Sequence, residues 1–116
     1  MLQPEGVPMV ENKTTLSAIV TRFRQGVEQL GVHCEQVYLF GSYAKETPRE
    51  GSDIDLIVVS SDWSRMGRRE RLELLGVAAA RMLEPIQAQG FTPDEAKDHR
   101  LGAFWESILA KEAVLV

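Results

Sequence analysis

The run Asp53-Ile54-Asp55-Leu56-Ile57-Val58-Val59 places aliphatic side chains at consecutive positions, so both faces of the segment are apolar. A strand of this kind lies in the middle of a sheet and is covered on both sides, because an edge or one-sided strand alternates apolar with polar. It needs paired strands beside it and a layer above and below. With 116 residues the chain can supply one such domain with a core of its own.

The remaining segments supply those layers. Leu16, Ile19, Val20, Phe23, Val27 and Leu30 fall on one stripe at helical spacing, with Thr15 as a cap and Gly31 as a terminator. Gln36 to Phe40 is rich in strand formers. Residues 60–66 read as a loop. Gly67 to about Leu83 reads as a helix with Leu72, Leu75, Ala79 and Met82 on one face. Pro85 to Phe91 is a weaker strand, diluted by Ala88, Gly90 and two glutamines. Thr92-Pro93-Asp94-Glu95 has the cap, the proline and the acid of a helix start, leading into one last helix with Leu101, Phe104, Trp105, Ile108 and Leu109. Ala113 to Val116 completes a short final strand. Residues 1–13 hold two prolines and a glycine without periodicity and read as a flexible arm before a single domain at 14–116. The expected fold is α/β (α+β): a small mixed sheet of three to four strands with helices packed against it.

Composition narrows the classes. A formal charge of -4 and a pI near 5.2 disfavour an autonomous nucleic-acid binder. The single cysteine, Cys34, excludes an internal disulfide and a cysteine-rich zinc site. No segment reads as a signal peptide or membrane span, so the chain is expected in the cytoplasm, away from the membrane.

The two acids at the head of the central strand need a reason. Side chains at i and i+2 share a face, so Asp53 and Asp55 point the same way with Cα atoms roughly 6.5 Å apart. At an effective dielectric near 20 they repel by roughly 2–3 kcal/mol. A cation between them removes that repulsion, and oxygen ligands of this kind suit Mg²⁺ shared with substrate phosphates. Upstream, Gly41-Ser42 ends the preceding strand. Glycine allows a sharp turn and close approach of a phosphate, and the backbone N–H groups of Ser42 to Ala44 at a starting helical turn attract an anion. Lys45 and Arg49 lie in the same polar stretch, where they are either solvated loop charges or phosphate contacts. A turn for phosphate followed by a carboxylate pair for metal amounts to a nucleoside triphosphate site. Glycosyltransferases also use Asp-x-Asp with a metal, but that reading leaves the Gly-Ser turn unexplained.

The segment Gly41-Ser42, ten residues, then Asp53-Ile54-Asp55-Leu56 resembles the nucleotidyltransferase superfamily related to DNA polymerase beta, and most closely its minimal nucleotidyltransferase members. Tyr43-Ala44-Lys45, Arg49 and Ser52 extend the match. The resemblance implies that Gly41, Ser42, Lys45 and Arg49 hold the triphosphate. It implies that Asp53 and Asp55 are catalytic carboxylates binding one or two Mg²⁺ ions, and that a nucleoside monophosphate passes from NTP to a hydroxyl. It also implies a separate helical partner of the HEPN type, in some members as the toxin of a toxin–antitoxin pair with a tyrosine as acceptor. Two departures stand out. Glu46 occupies a position where glycine is common. On the third strand Gln87 aligns with the usual third carboxylate; Glu84, Asp94 or Glu95 would have to substitute. A neutral amide there implies either slow transfer or a module that binds nucleotide and its partner without turnover. A homo-oligomer is also compatible.

Other residues admit blander roles. His33 and His99 lack partners at ligand spacing. Arg68, Arg69 and Arg71 read as a solvated helix face, with contact to nucleotide or a partner as the rarer alternative. Trp63 either caps the core or stacks on a base or a partner chain. Phe104 and Trp105 continue an apolar stripe and read as core.

Overall fold

A computed structural model describes residues 13–48, 51–98 and 100–116. The expected arm therefore lies outside the described residues except Lys13, which already begins α1 (Lys13–Gln29). Then follow β1 (Gln36–Phe40), α2 (Gly41–Ala44), β2 (Ile54–Val59), a 3-10 turn (Ser61–Arg65), α3 (Arg68–Met82), β3 (Ile86–Phe91), α4 (Pro93–Lys97), α5 (Ala103–Lys111) and β4 (Val114–Leu115). The mixed sheet has four strands in the order β3-β2-β1-β4. β1 pairs antiparallel with β2 and with β4, while β2 and β3 run parallel.

β2 is the doubly covered strand that its sequence requires. Ile54, Leu56 and Val58 point into one core with Phe23 and Val27 of α1 and Leu75 and Ala78 of α3. Ile57 and Val59 point into a second core with Phe91, Leu101 and Ile108. Each fully buried side chain of this size contributes roughly 1.5–3 kcal/mol, an upper figure because the unfolded chain already buries some surface. Cys34 is a buried free thiol. Burial pushes its pKa up to about 11, partly offset by Arg24, so it acts as an inert filler.

Three local expectations need correction. The last helix is two helices. α4 ends at Lys97, and Leu101 turns into the second core before Gly102, at φ +90, opens α5. Burying Leu101 and turning the chain through Gly102 outweighs the continuous stripe read from the sequence. Phe104 is 66% exposed and meets Trp105 edge-on, whereas Trp105 packs between Phe40 and Phe91.

The third concerns Arg71, which is buried while Arg68 and Arg69 stay exposed. Its guanidinium donates to the carbonyls of Met66 and Gly90 at 3.1 Å each and grips Glu95 with two bonds of 2.7 and 3.1 Å. Glu95 is itself part of the capping box with Thr92. This arginine therefore ties α3 to the end of β3 and the start of α4. Trp63 is fully buried, and its indole N–H donates to the Val58 carbonyl at 3.0 Å. The indole lies over Gly90, where a Cβ would stand 2.7 Å from a ring carbon. The glycine that weakened β3 as a strand signal is there to admit this ring.

Candidate functional site

The site forms where β1 hands over to α2. Phe40 ends the strand in extended backbone, Gly41 turns at φ +74, and one helical turn follows. Lys45 N–H donates to the Gly41 carbonyl at 3.1 Å and Thr47 N–H to the Ser42 carbonyl at 2.9 Å. Tyr43 is buried and pins the turn to the core. Phe40, at the cap position, offers no side-chain acceptor to the turn.

The antiparallel register brings the carboxylates to this turn. Phe40 pairs with Asp55 and Leu39 with Leu56. Asp55 consequently stands beside the glycine. A Cβ built on Gly41 would collide with the Asp55 carboxylate oxygen and lie 3.1 Å from its Cγ. The two motif halves, ten residues apart in sequence, touch in space. Asp53 sits one residue before β2 and is exposed; Asp55 is half-buried. Burial first, and then the charge of Asp53, push the Asp55 carboxyl above its ordinary range. A divalent cation held between the two would reverse both effects, so the donor set fits a hard, oxygen-seeking ion such as Mg²⁺.

The parallel register sets Gln87 directly beside Asp55. Among the described residues no group of three or more His, Cys, Asp or Glu side chains is placed to hold a metal. Asp94 and Glu95 lie beyond the far end of β3, about 13 Å or more along the strand from Gln87. Glu95 is also committed to Arg71. Of the three suggested substitutes, only Glu84 is at the correct end of the sheet. A cavity of about 360 Å³ lies at that far end, between Ser61, Thr92 and Arg100. It is remote from the carboxylate pair, and the balanced charges of Arg71, Arg100, Asp94 and Glu95 favour no ligand charge.

Among the other expected contacts, Ser42 is half-buried in the turn. Lys45 caps α2 and meets Glu112, just after α5, with Nζ and Oε1 3.5 Å apart. Arg49 and His99 lie outside the described residues. His33 is exposed, its ring Nδ1 3.3 Å from Glu28, and its backbone N–H donates to Asp62. The sequence reading missed Glu112. Nothing in its local sequence marks it, because its link to Lys45 depends on how β4 returns to β1.

Glu46 adopts a left-handed backbone with φ 59. That conformation costs a non-glycine residue about 1–2 kcal/mol, part of which glycine would lose again through a freer unfolded chain. Glu46→Gly is expected to raise stability by up to about 1 kcal/mol without altering ligand binding. A lower midpoint in chemical denaturation would show that the glutamate side chain itself stabilises the turn.

The family model of the nucleotidyltransferase domain matches residues 20–116. The fold is shared with a candidate nucleotidyltransferase of Sulfolobus solfataricus, at 20% identity, a TM-score of 0.53, and coverage of 92% of this chain and 89% of that one. It is shared with a chain of a toxin–antitoxin complex with AMP-PNP, at 18% identity, a TM-score of 0.57, and coverage of 82% and 69%. A third relative by fold comes from a Shewanella oneidensis complex of a tri-AMPylated HEPN toxin with an MNT antitoxin, at 17% identity, a TM-score of 0.50, and coverage of 89% and 69%. No curated protein matches the chain.

Proposed function

The chain belongs to the nucleotidyltransferase domain family, and from that premise we propose that it binds a nucleoside triphosphate with Mg²⁺ at the junction of β1, α2 and β2 and transfers the nucleoside monophosphate to a hydroxyl. The observation that carries this reading is the packing of the Asp55 carboxylate against the Gly41 turn. On this reading the N–H groups of the turn meet phosphate and the carboxylate oxygens meet the metal, within one substrate's reach. Gly41 and Ser42 cradle the phosphates through the backbone. Asp53 and Asp55 hold the ion. Lys45, and Arg49 in the same stretch, add positive charge for the triphosphate. When bound, Mg²⁺ neutralises phosphate charge and supplies Lewis acidity. The carboxylates and the turn orient the triphosphate, and orientation supplies much of the acceleration in such transfers.

Two of its relatives by fold come from toxin–antitoxin complexes. A helical partner of the HEPN type, presenting a tyrosine hydroxyl, is the acceptor proposed here. No described helix is long and apolar enough to cross a membrane.

Calorimetric titration of ATP, GTP, CTP and UTP, in Mg²⁺ and in EDTA, tests the site. Binding is expected to require Mg²⁺, and the Asp53→Ala, Asp55→Ala double variant is expected to lose the Mg²⁺-dependent part. In EDTA, Asp55→Asn should melt no lower than wild type, since it removes a like-charge contact. Equal binding by the folded double variant would remove the carboxylates from the site.

Gln87 beside Asp55 favours a second reading, a module that binds nucleotide and its partner with little or no turnover. An amide ligates a cation weakly and accepts no proton. Gln87→Glu should then raise transfer to the partner by at least about tenfold, within the range for adding a positioned acid–base group. Unchanged transfer with unchanged nucleotide affinity would show that Gln87 does not limit the reaction.

A further inference from the structure

The ion pair between Lys45 and Glu112 lies beside the proposed phosphate turn, and the β1–β4 ladder explains why. Tyr38 pairs with Leu115 and Leu39 with Val114. The ladder stops at Val114, which brings the end of α5 and its cap residue Glu112 close to α2, where Glu112 meets Lys45. The turn therefore meets Asp55 at Gly41 and Glu112 at Lys45. The backbone of Glu112 is held at both ends. Its N–H and that of Ala113 donate to the Ile108 carbonyl at 3.0 and 2.8 Å, and Val116 N–H donates to the Val37 carbonyl at 2.9 Å. The Lys45 side chain is the more exposed partner, 59% against 29% for Glu112. A carboxylate on a hydrogen-bonded backbone thus meets an exposed cation beside the turn.

We propose that Glu112 is a positioning residue that sets nucleotide affinity. It parks Lys45 beside the turn while the site is empty and competes with the triphosphate for the ammonium once nucleotide arrives. The proposal rests on the triphosphate reading of this site. Binding would exchange one anionic partner of Lys45 for another, and the Glu112 charge would then stand near phosphate charge with no cation of its own. The residue acts through Lys45 and through repulsion, not by touching the reacting atoms.

The test is a double-mutant cycle with wild type, Glu112→Gln, Lys45→Gln and the double variant. ATP and inorganic tripolyphosphate are titrated in Mg²⁺, the second probe isolating the phosphates from the base. Glu112→Gln is expected to tighten both ligands about two- to fivefold, the scale of an exposed ion pair. Lys45→Gln is expected to weaken both about tenfold, the scale of one charge-assisted hydrogen bond. In the Lys45→Gln background the gain from Glu112→Gln should shrink. A purely structural tether would lower the melting temperature of Glu112→Gln and leave affinity unchanged or weaker. That result, with wild-type binding still dependent on Mg²⁺ and the aspartates, overturns the role of Glu112 and leaves the site intact. Absence of any Mg²⁺-dependent binding by folded wild-type protein overturns the site reading, and the role of Glu112 falls with it.

Discussion

Gly41→Ala is expected to abolish nucleotide binding in practice, weakening it about a hundredfold. Two causes act together. The residue sits at φ +74, a conformation that costs an alanine about 1–2 kcal/mol. Its new methyl would also press on the Asp55 carboxylate, already 3.1 Å from Cγ and 3.3 Å from Cβ of that side chain. The carboxylate must swing out of place or the turn must open. Either movement removes contacts worth about 1.5 kcal/mol each, and two such losses amount to about a hundredfold. Gly31→Ala is the control. Gly31 also has a positive φ, +98, but nothing within 4 Å of its Cβ position. It should lose comparable stability and keep full affinity. Titration of ATP in Mg²⁺ into both variants decides the matter. Equal affinity in the two folded variants would mean that the turn and the carboxylates do not form one site.

Arg71→Met is expected to cause the largest loss of stability, about 3 kcal/mol, with the midpoint falling by about 10 °C. Methionine fills much of the volume but leaves the Met66 and Gly90 carbonyls short of a donor and Glu95 without its counter-charge. The same pair has a pH signature. Burial raises the Glu95 carboxyl, but the bond from Arg71 and the Thr92 N–H outweigh it, so its pKa lies below the ordinary 4.5. A depressed acid stabilises the fold above its unfolded pKa, and that contribution is lost as pH falls through the lower folded value. Wild type should therefore lose stability in this acidic window, and Arg71→Met should lose less there. Denaturant unfolding at neutral pH and near pH 3 measures both. A variant as stable as wild type at neutral pH would show that the ion pair only replaces an equally good apolar packing.

Much of this was legible beforehand, for identifiable reasons. β2 announced itself because consecutive aliphatics have no stable place except between two layers. The Gly-Ser turn and the Asp pair were legible because their chemistry needs particular residues at particular spacings. Arg71 was misread as surface. Its neighbours Arg68 and Arg69 are surface, and only the meeting of α3, β3 and α4 supplies the two carbonyls and the carboxylate that allow an arginine to be buried. The split between α4 and α5 was missed because Leu101 fits a helical stripe as well as it fits the second core.

By itself the sequence determined the class of fold, the central strand and the succession of a Gly-Ser turn and an acid pair. Each of these follows from periodicity or from residue chemistry within a short window. Tertiary structure alone decided that Asp55 touches Gly41 and that Glu112 meets Lys45 beside the turn. Those relations are set by strand register. Register is fixed by the packing of whole faces against two cores, and no local stretch of chain encodes it.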